Sequence, residues 1–329
     1  MKCKGIFSFT CAVFAVGSSL TNHAVAADLA KDYPNRPVRM LVPNAPGSSV
    51  DTLSRIIAAK LSEVLGQQIV SDNRAGAGGV IGMEIAKAAI PDGYTLISAT
   101  TAASTIAVLL QKRPSYDPVK DYEHVTQFAV TPNILVANPA LPVKSVRELI
   151  DYCKGKQGQV NMASAGPGSQ SHLSGAYFLQ AAKFESVHVP YKGGGPSVAS
   201  VIAGESQWTL TPAPAVMSFV RSGRLRALGH TLPTRSPLLG DIPPIAETIP
   251  GFDYSGWQGF MLPKGTPKPI IEKLRAAVIK TVSMPEVKTL LASQATEVVT
   301  GTSQEFRKVV QDSMAKNALL VKAVGLKVE

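Results

Sequence analysis

The chain has 329 residues and a formal net charge of +10, from 33 basic and 23 acidic side chains. The basic residues stand singly with little aromatic interleaving, which argues against a nucleic-acid platform and against a polybasic membrane patch. A chain of this length can bury a large core without disulfides, and two ordinary domains are the expected division.

The first residues have the pattern of a secretory signal peptide. Lys2 and Lys4 precede an apolar run at 6–20, and a small-residue cleavage site follows at 24–26. The run is shorter than the roughly 20 residues that a membrane-spanning helix needs. We therefore predict cleavage after Ala26 and a mature protein that works in the periplasm.

Removal of this segment lowers the formal charge from +10 to +8, because the segment carries two lysines and no acidic residue. It also removes two of the three cysteines, so Cys153 stands alone and no intrachain disulfide can form. The apolar spacing of Val146, Leu149 and Ile150 places this thiol on the buried side of a helix. We expect a packed core cysteine.

Strand and helix patterns alternate through the first part of the mature chain. Short apolar runs predict strands, and apolar residues at helical spacing predict helices. Strands are predicted at 38–42, 68–71 and 94–98, and helices at 53–65 and 80–89. This β-α-β-α-β series is typical of a mainly parallel sheet with helices on its faces.

The alternation resumes at a capping box formed by Ser145 and Glu148, which begins a helix that ends near residue 154. Further strands are predicted at 160–163, 186–189, 208–211 and 227–229, and helices at 169–182, 196–203 and 214–222. The chain returns to helices at 267–283 and again from the capping pair Thr302 and Glu305.

Two βα blocks followed by a helical return predict an α/β fold of two lobes, in which the chain crosses over, crosses back and completes the first lobe. Lobe 1 is predicted to contain 27–128 and 253–329, and lobe 2 to contain 129–252. A cleft lies between the lobes in such a topology. Ligands of open α/β sheets gather at the carboxyl ends of strands, next to helix N-termini.

Four predicted strand-to-helix loops consist of small residues, hydroxyls and glycine, at 44–51, 100–104, 163–172 and 190–197. Glycine lets backbone N–H groups approach a ligand, and a helix N-terminus carries about half a positive charge. Such loops can hold a carboxylate without arginine or lysine. One loop alone would indicate ordinary turn and cap chemistry, but four that converge on one cleft favour binding.

Motifs for catalysis and metal binding are absent from the sequence. It contains no G-x-S-x-G elbow and no Walker loop. The histidines of the mature chain have no partner at i+4, so we predict no metal and no cofactor. Asp51 and His172 are the plausible acid and base of an enzyme, yet each is better explained as a structural group at a helix start.

Two further features leave alternatives open. The glycine-rich turn at 73–79 lacks the Lys-Ser/Thr ending of a phosphate loop, and we interpret it as a point of tight packing between a helix and the sheet. Trp208 and Trp257 either gate the cleft or lie in the core.

Several segments carry recognisable motifs, at 33–43, 46–51, 73–79, 91–96, 116–121, 188–193, 265–267 and in the last helix. Together they resemble the Bug family, the extracytoplasmic solute receptors of tripartite tricarboxylate transporters. The likeness covers essentially the whole mature chain. It implies a type II periplasmic binding protein fold with two lobes, which closes like a hinged trap on a small carboxylated solute.

The resemblance also implies a binding site in which backbone amides, hydroxyls and ordered water hold the ligand carboxylate. The matching positions in this chain are Asn44, Ala45, Ser48, Ser49, Asp51, Thr100, Thr101, Gly168 and Ser169, with Tyr191 nearby. The protein is then expected to be a receptor rather than an enzyme, with a small carboxylate and a membrane permease or a sensor as its partners. We also predict a monomer.

The sequence departs from the family pattern in the first loop, where Asn44 replaces an aromatic residue and Ser48 and Ser49 replace glycines. The strand at 207–212 lacks the family's acidic residues, so a carboxylate there is not available to a ligand amine. We expect a small mono- or dicarboxylate as ligand. The alternatives are a periplasmic enzyme that acts on an acidic substrate, and a ligand-dependent sensor partner.

Overall fold

The computed structural model describes residues 31–156 and 158–326. The predicted signal peptide at 1–26 lies outside the described residues, so cleavage after Ala26 stays a prediction. Within the described ranges, no helix combines the length and the apolar character needed to cross a membrane.

The strands agree closely with the predicted ones and add three more. They are β1 Val38–Val42, β2 Ile69–Asn73, β3 Thr95–Thr100, β4 Tyr122–Ala137, β5 Asn161–Ser164, β6 Val187–Pro190, β7 Trp208–Pro212, β8 Arg226–His230, β9 Ser255–Pro263 and β10 Glu297–Val298. The added strands are β4, β9 and β10.

The helices follow the predicted alternation. They are α1 Ser49–Leu65, α2 Val80–Lys87, α3 Ala107–Leu109, α4 Val146–Gly155, α5 Gln170–Ala182, α6 Gly194–Ala203, α7 Met217–Arg221, α8 Lys268–Ser283, α9 Pro285–Ser293 and α10 Ser303–Ala323. A π-helical turn at Ala102–Ile106 leads into α3. The single helix predicted at 214–222 is a 3₁₀ turn, Ala213–Ala215, followed by the short α7.

One strand links the two halves of the sheet. The strand order is β2-β1-β3-β9-β4-β7-β5-β6, and β8 and β10 also pair with β4. The first part of β4 pairs antiparallel with β9, from Tyr122 to Pro132, and its last part pairs with β7, from Asn133 to Ala137. The chain therefore crosses between halves along β4 and returns along β9.

Neither crossing strand is visible as a periodic pattern in the sequence. Almost every residue of β4 is buried, whichever way its side chain points, because the strand is paired along its length and covered by helices. Such a strand lacks the alternation of apolar and polar residues that marks a half-exposed strand. The two-lobe α/β architecture agrees with the predicted fold, and the predicted lobe boundaries stay predictions.

Each half has its own apolar core. In the first half, α1 and α8 cover the sheet with buried residues that include Leu53, Ile57 and Leu274. In the second half, Phe178 of α5 packs against Trp208 of β7, and buried residues of α4 complete the core. The sequence left open whether Trp208 gates the cleft or lies in the core, and the structure places it in the core.

Cys153, the one cysteine among the described residues, lies in the core as predicted. Cys153 is fully buried in α4, and burial raises the pKa of its thiol to about 11. The thiol is therefore protonated at neutral pH, and this form is a poor nucleophile.

The predicted capping boxes differ in completeness. Thr302 Oγ1 accepts from Glu305 N, and the Glu305 carboxylate accepts from Thr302 N, which completes the box at the start of α10. At α4, Ser145 Oγ accepts from the third helical N–H as expected. The Glu148 carboxylate accepts from Lys144 N, one residue before the cap, so the reciprocal half predicted there is wrong.

We predict that Gly259 is required for the packing of α10 on β9. A Cβ atom at this position would lie 2.4 Å from Cζ of the buried Phe306 ring. Gly259→Ala should therefore destabilise the protein by about 1–3 kcal/mol, the usual cost of overpacking a core, as measured by urea unfolding.

The matched control is Gly155→Ala, because a Cβ atom at Gly155 meets nothing within 4 Å. Its effect should stay within about 0.5 kcal/mol. Equal unfolding midpoints for the two variants would show that the Phe306 ring moves aside without cost.

Candidate functional site

A cleft of about 480 Å³ lies where the strand-to-helix loops of the two halves meet. Six of the ten predicted site residues line it: Asn44, Ser48, Ser49, Thr100, Ser169 and Tyr191. The remaining four, Ala45, Asp51, Thr101 and Gly168, do not. All four predicted loops contribute at least one residue to the lining, so the structure brings them together as the topology requires.

Asp51 braces the first loop from behind the cleft. Asp51 is buried, and its carboxylate accepts from Gly47 N at 3.0 Å, Asn73 Nδ2 at 3.0 Å and Arg55 Nε at 2.9 Å. These contacts agree with the interpretation of Asp51 as a carboxylate that stabilises the first helix and its loop.

Thr101 also acts behind the cleft wall. Its Oγ1 accepts from Trp257 N at 2.8 Å, which ties the loop after β3 to the returning strand β9. Thr100 keeps the cleft position, and its Oγ1 accepts from Ala103 N at 3.2 Å. Thr100 therefore lines the cleft, and its neighbour Thr101 supports the cleft wall from behind.

Ala45 and Gly168 lie where loops of the two halves touch. A Cβ atom on Gly193 would come within 2.6 Å of Ala45 Cβ, and one on Gly78 would come within 3.1 Å of the Gly168 backbone carbon. Side chains larger than hydrogen at these glycines would push the loops apart. The close approach of the loops therefore depends on glycine at Gly193 and Gly78.

Three helices begin at the cleft, and their N-termini favour an anion. Ser48 caps α1 and Ser169 caps α5 through their hydroxyls, whereas Gly193 gives α6 no side-chain cap. The first N–H of α6, on Gly194, lies 3.5 Å from Asn44 Oδ1 across the cleft. Backbone donors and the positive ends of three helix dipoles converge on one space, which is the arrangement that binds carboxylates.

The sequence interpretation missed several lining residues. Residues 75–79 line the cleft, although their glycine-rich turn was interpreted as a packing point. The turn also packs tightly, because a Cβ atom on Gly79 would lie 2.7 Å from Ala103 Cβ. Gln258 lines the cleft from β9 and could not be found while that strand was unrecognised. Trp257, for which the sequence left a cleft or a core position open, lines the cleft beside it.

Lys192 adds a cation that the expectation of purely neutral donors did not include. It lines the cleft on the loop between β6 and α6, its side chain is exposed, and it forms no ion pair with any residue that the structure describes. Lys192 belongs to the loop at 190–197, which the sequence had already placed at the cleft, so membership of that loop was the signal that could have identified it.

A stacked pair of imidazoles supports the loop after β5. The rings of His172 and His188 are nearly parallel, with centroids 4.2 Å apart. His188 Nε2 lies 2.6 Å from Ser164 Oγ, which accepts from the N–H of Gly166 in the cleft wall. Burial lowers the pKa of His172 to about 4, with a smaller effect of His188, and burial also lowers the pKa of His188.

The described residues therefore form a site suited to anion binding. Among the described ranges, no group of three or more histidine, cysteine, aspartate or glutamate side chains could hold a metal ion. Asp51 is engaged by three donors, and the neutral His172 is stacked under a loop.

The comparisons with known proteins agree with this architecture. Residues 53–326 match the model of the tripartite tricarboxylate transporter family receptor. Protein BugT of Bordetella pertussis is 35% identical over 318 residues, which cover 95% of this chain and 97% of that protein. The match is therefore one of whole chains.

Solved structures of similar proteins show the same fold. The structure of R. palustris Rpa4515 with adipate is 32% identical, has a TM-score of 0.87 and covers 89% of this chain and 99% of its own. MatC of Rhodopseudomonas palustris with bound malate is 30% identical, has a TM-score of 0.83 and covers 88% of this chain and 100% of its own. The predicted periplasmic binding protein fold is thus confirmed.

Folding stability should fall as the pH drops from about 6.5 towards 4. In this range the unfolded chain protonates His172, whereas the folded chain, in which its pKa is about 4, keeps the ring neutral. We expect this residue to account for a loss on the order of 1–2 kcal/mol by pH 5.

Urea unfolding of the protein and of His172→Gln at neutral pH and at about pH 5 measures this contribution. The variant should lose less stability on acidification than the parent. Burial also lowers the pKa values of His124 and His230, so these two residues still make the stability of the variant depend on pH. An unchanged pH dependence in His172→Gln would show that the folded state already accommodates the charged ring.

Proposed function

The chain belongs to the tripartite tricarboxylate transporter receptor family, and we propose that it is a periplasmic receptor that binds a small mono- or dicarboxylate and delivers it to a membrane permease. The observation that supports this most is the convergence of three helix N-termini on one cleft. Such N-termini stabilise negative charge through backbone N–H groups and the helix dipole.

We propose that the residues lining the cleft contact the ligand directly and that the others position them. Asn44, Ser48, Ser49, Thr100, Ser169 and Tyr191 form the first group. Ala45, Asp51, Thr101 and Gly168 form the second, in which Asp51 and Thr101 hold loops through hydrogen bonds. Contact between the second group and a ligand would require bridging water.

The solute should leave the protein chemically unchanged. A periplasmic enzyme would need an acid and a base free to face the substrate. Asp51 is engaged by Gly47, Arg55 and Asn73 behind the cleft, and the imidazole of His172 is stacked on His188. Both groups have structural roles that account for their presence.

Closure of the two lobes around the solute follows from the loops that touch across the cleft. The glycines that begin α6 approach the first loop closely, and Asn44 Oδ1 accepts from Gly194 N. A ligand held by loops of both lobes interacts with the closed form more strongly and shifts the population towards it.

Carboxylates should raise the thermal unfolding midpoint of the purified protein, and their uncharged amide analogues should not. Saturation at about 100 times the dissociation constant stabilises a protein by about 2.7 kcal/mol. Succinate and adipate, each compared with its diamide, form the first panel, and mass spectrometry of the released solute tests for chemical change. Equal shifts for an acid and its diamide would contradict carboxylate recognition.

The variant Ser169→Ala sharpens this test, because Ser169 lines the cleft at the start of α5. It should weaken affinity by about 1 kcal/mol or more, the scale of one lost hydrogen bond. Ser145→Ala is the matched control, since Ser145 caps α4 in the same way and does not line the cleft. Both variants lose a helix cap, but only the first should lose affinity.

Closure can be blocked sterically at Gly195, where a Cβ atom would lie 2.5 Å from Pro46 O. Gly195→Val should raise the dissociation constant and abolish the decrease in radius of gyration that ligand produces in solution scattering. Ala199→Val, at an exposed position of the same helix, is the control and should behave like the parent. Normal compaction in Gly195→Val would place the closing contact elsewhere.

A further inference from the structure

We propose that the ligand is a hydroxylated carboxylate, because two glutamine side chains present oriented amide oxygens to the cleft. The glutamines are Gln258 on β9 and Gln170 at the start of α5, and both line the cleft. They are 3% and 8% exposed. The inference rests on the proposed function, and it adds the chemical feature that distinguishes one carboxylate from another.

The orientation of the Gln258 amide follows from its partners in the first half of the protein. Its Nε2 lies 3.2 Å from Val50 O, 2.7 Å from Ser98 Oγ and 3.1 Å from Ser54 Oγ. A backbone carbonyl can only accept, so the atom beside Val50 O must be the nitrogen. The amide oxygen has no partner among the described residues, so it is the end of this cleft-lining side chain that can still accept a hydrogen bond.

The orientation of the Gln170 amide is set through Asn133 on the crossing strand β4. Asn133 Nδ2 donates to Tyr254 O at 3.2 Å, and because this carbonyl can only accept, the other side-chain atom of Asn133 is its oxygen. Asn133 Oδ1 then accepts from Gln170 Nε2 at 3.2 Å. The Gln170 oxygen is again unpaired among the residues that the structure describes.

Packing holds the Gln170 amide in place. A Cβ atom on Gly256 would lie 2.3 Å from both Gln170 Oε1 and Gln170 Nε2, so the amide lies directly against the backbone of β9. A rotation that exchanged its two ends would bring the Gln170 oxygen to Asn133 Oδ1, where two acceptors would face each other. Both amide oxygens are therefore preorganised acceptors.

Buried acceptors select a ligand that carries hydrogen-bond donors. A carboxylate supplies only acceptors, so its oxygens match the helix N-termini and not the two glutamine oxygens. A ligand without a donor would leave these oxygens desolvated and unpaired, which is the effect by which polar sites reject analogues that lack a hydroxyl.

A hydroxyl suits this cleft better than an ammonium group. No aspartate or glutamate side chain is among the cleft-lining residues of the described chain, whereas three helix N-termini and Lys192 contribute positive charge. An ammonium group would be desolvated beside positive charge without a counter-ion, which is costly. A neutral hydroxyl donates to an amide oxygen without this penalty.

Calorimetry with three matched pairs tests the proposal on the unmodified protein: succinate and malate, adipate and 2-hydroxyadipate, and propane-1,2,3-tricarboxylate and citrate. We expect the hydroxylated member of at least one pair to bind about tenfold or more tightly than its partner. Aspartate, which carries an ammonium group in place of the malate hydroxyl, should bind more weakly than malate.

The variants Gln258→Met and Gln170→Met then assign the effect. Each should reduce the preference for the hydroxylated member to about threefold or less, if its oxygen accepts from the hydroxyl, and at least one must do so. Gln127→Met is the matched control, because Gln127 is a buried glutamine of β4 that does not line the cleft. It should leave the preference unchanged.

The outcomes separate the two levels of the proposal. Equal or weaker binding of every hydroxylated member overturns the present inference and leaves the carboxylate receptor intact, and so does a preference that survives in both glutamine variants. Tighter binding of aspartate than of malate also overturns it. Absence of binding by all of these acids overturns the proposed function together with the inference.

Discussion

The hydrogen bonding of β4 to strands of both lobes is the constraint on which the rest of the structure depends. Its first part pairs with β9 and its last part pairs with β7 and β8, so one continuous strand serves both halves of the sheet. Because the strand is buried, each backbone group that lost its partner would remain unsatisfied away from water. The register of β4 therefore determines where the helices of both lobes begin around the cleft.

Side chains of the crossing segments extend this link between the lobes. Asn133 connects Gln170 in the cleft wall with Tyr254 O, and the Tyr254 hydroxyl lies 3.4 Å from Asn317 Oδ1 in α10. Asn317 Nδ2 donates to Thr105 Oγ1 at 2.8 Å, beside the loop that follows β3. A buried polar network thus runs behind the cleft from one lobe to the other, and its members are hydrogen-bonded as buried polar groups must be.

The electrostatics of the cleft combine weak positive sources with neutral acceptors. Helix N-termini supply partial charge without the desolvation cost of buried cations, and Lys192 keeps its ammonium group at an exposed position. Asp51 lies close to the start of the first helix, where Arg55 offsets its charge through an ion pair and Asn73 donates a hydrogen bond to its carboxylate. The charge of Asp51 is therefore offset before a ligand arrives.

The sequence by itself determined most helices and short strands, the caps at Ser145 and Thr302, and the buried state of Cys153, because these features depend on local periodicity and local hydrogen bonds. It also located the four loops that meet at the cleft, since strand-to-helix order specifies which loop ends share an edge. Only the tertiary structure decided which residue of each loop faces the cleft. Thr100 and Thr101 are neighbours with the same side chain. The direction of the backbone at the loop makes Thr100 line the cleft and Thr101 support its wall. Gln258 and Trp257 reach the cleft from a strand whose uniform burial hides its period, because burial is set by contacts with residues far away in the chain.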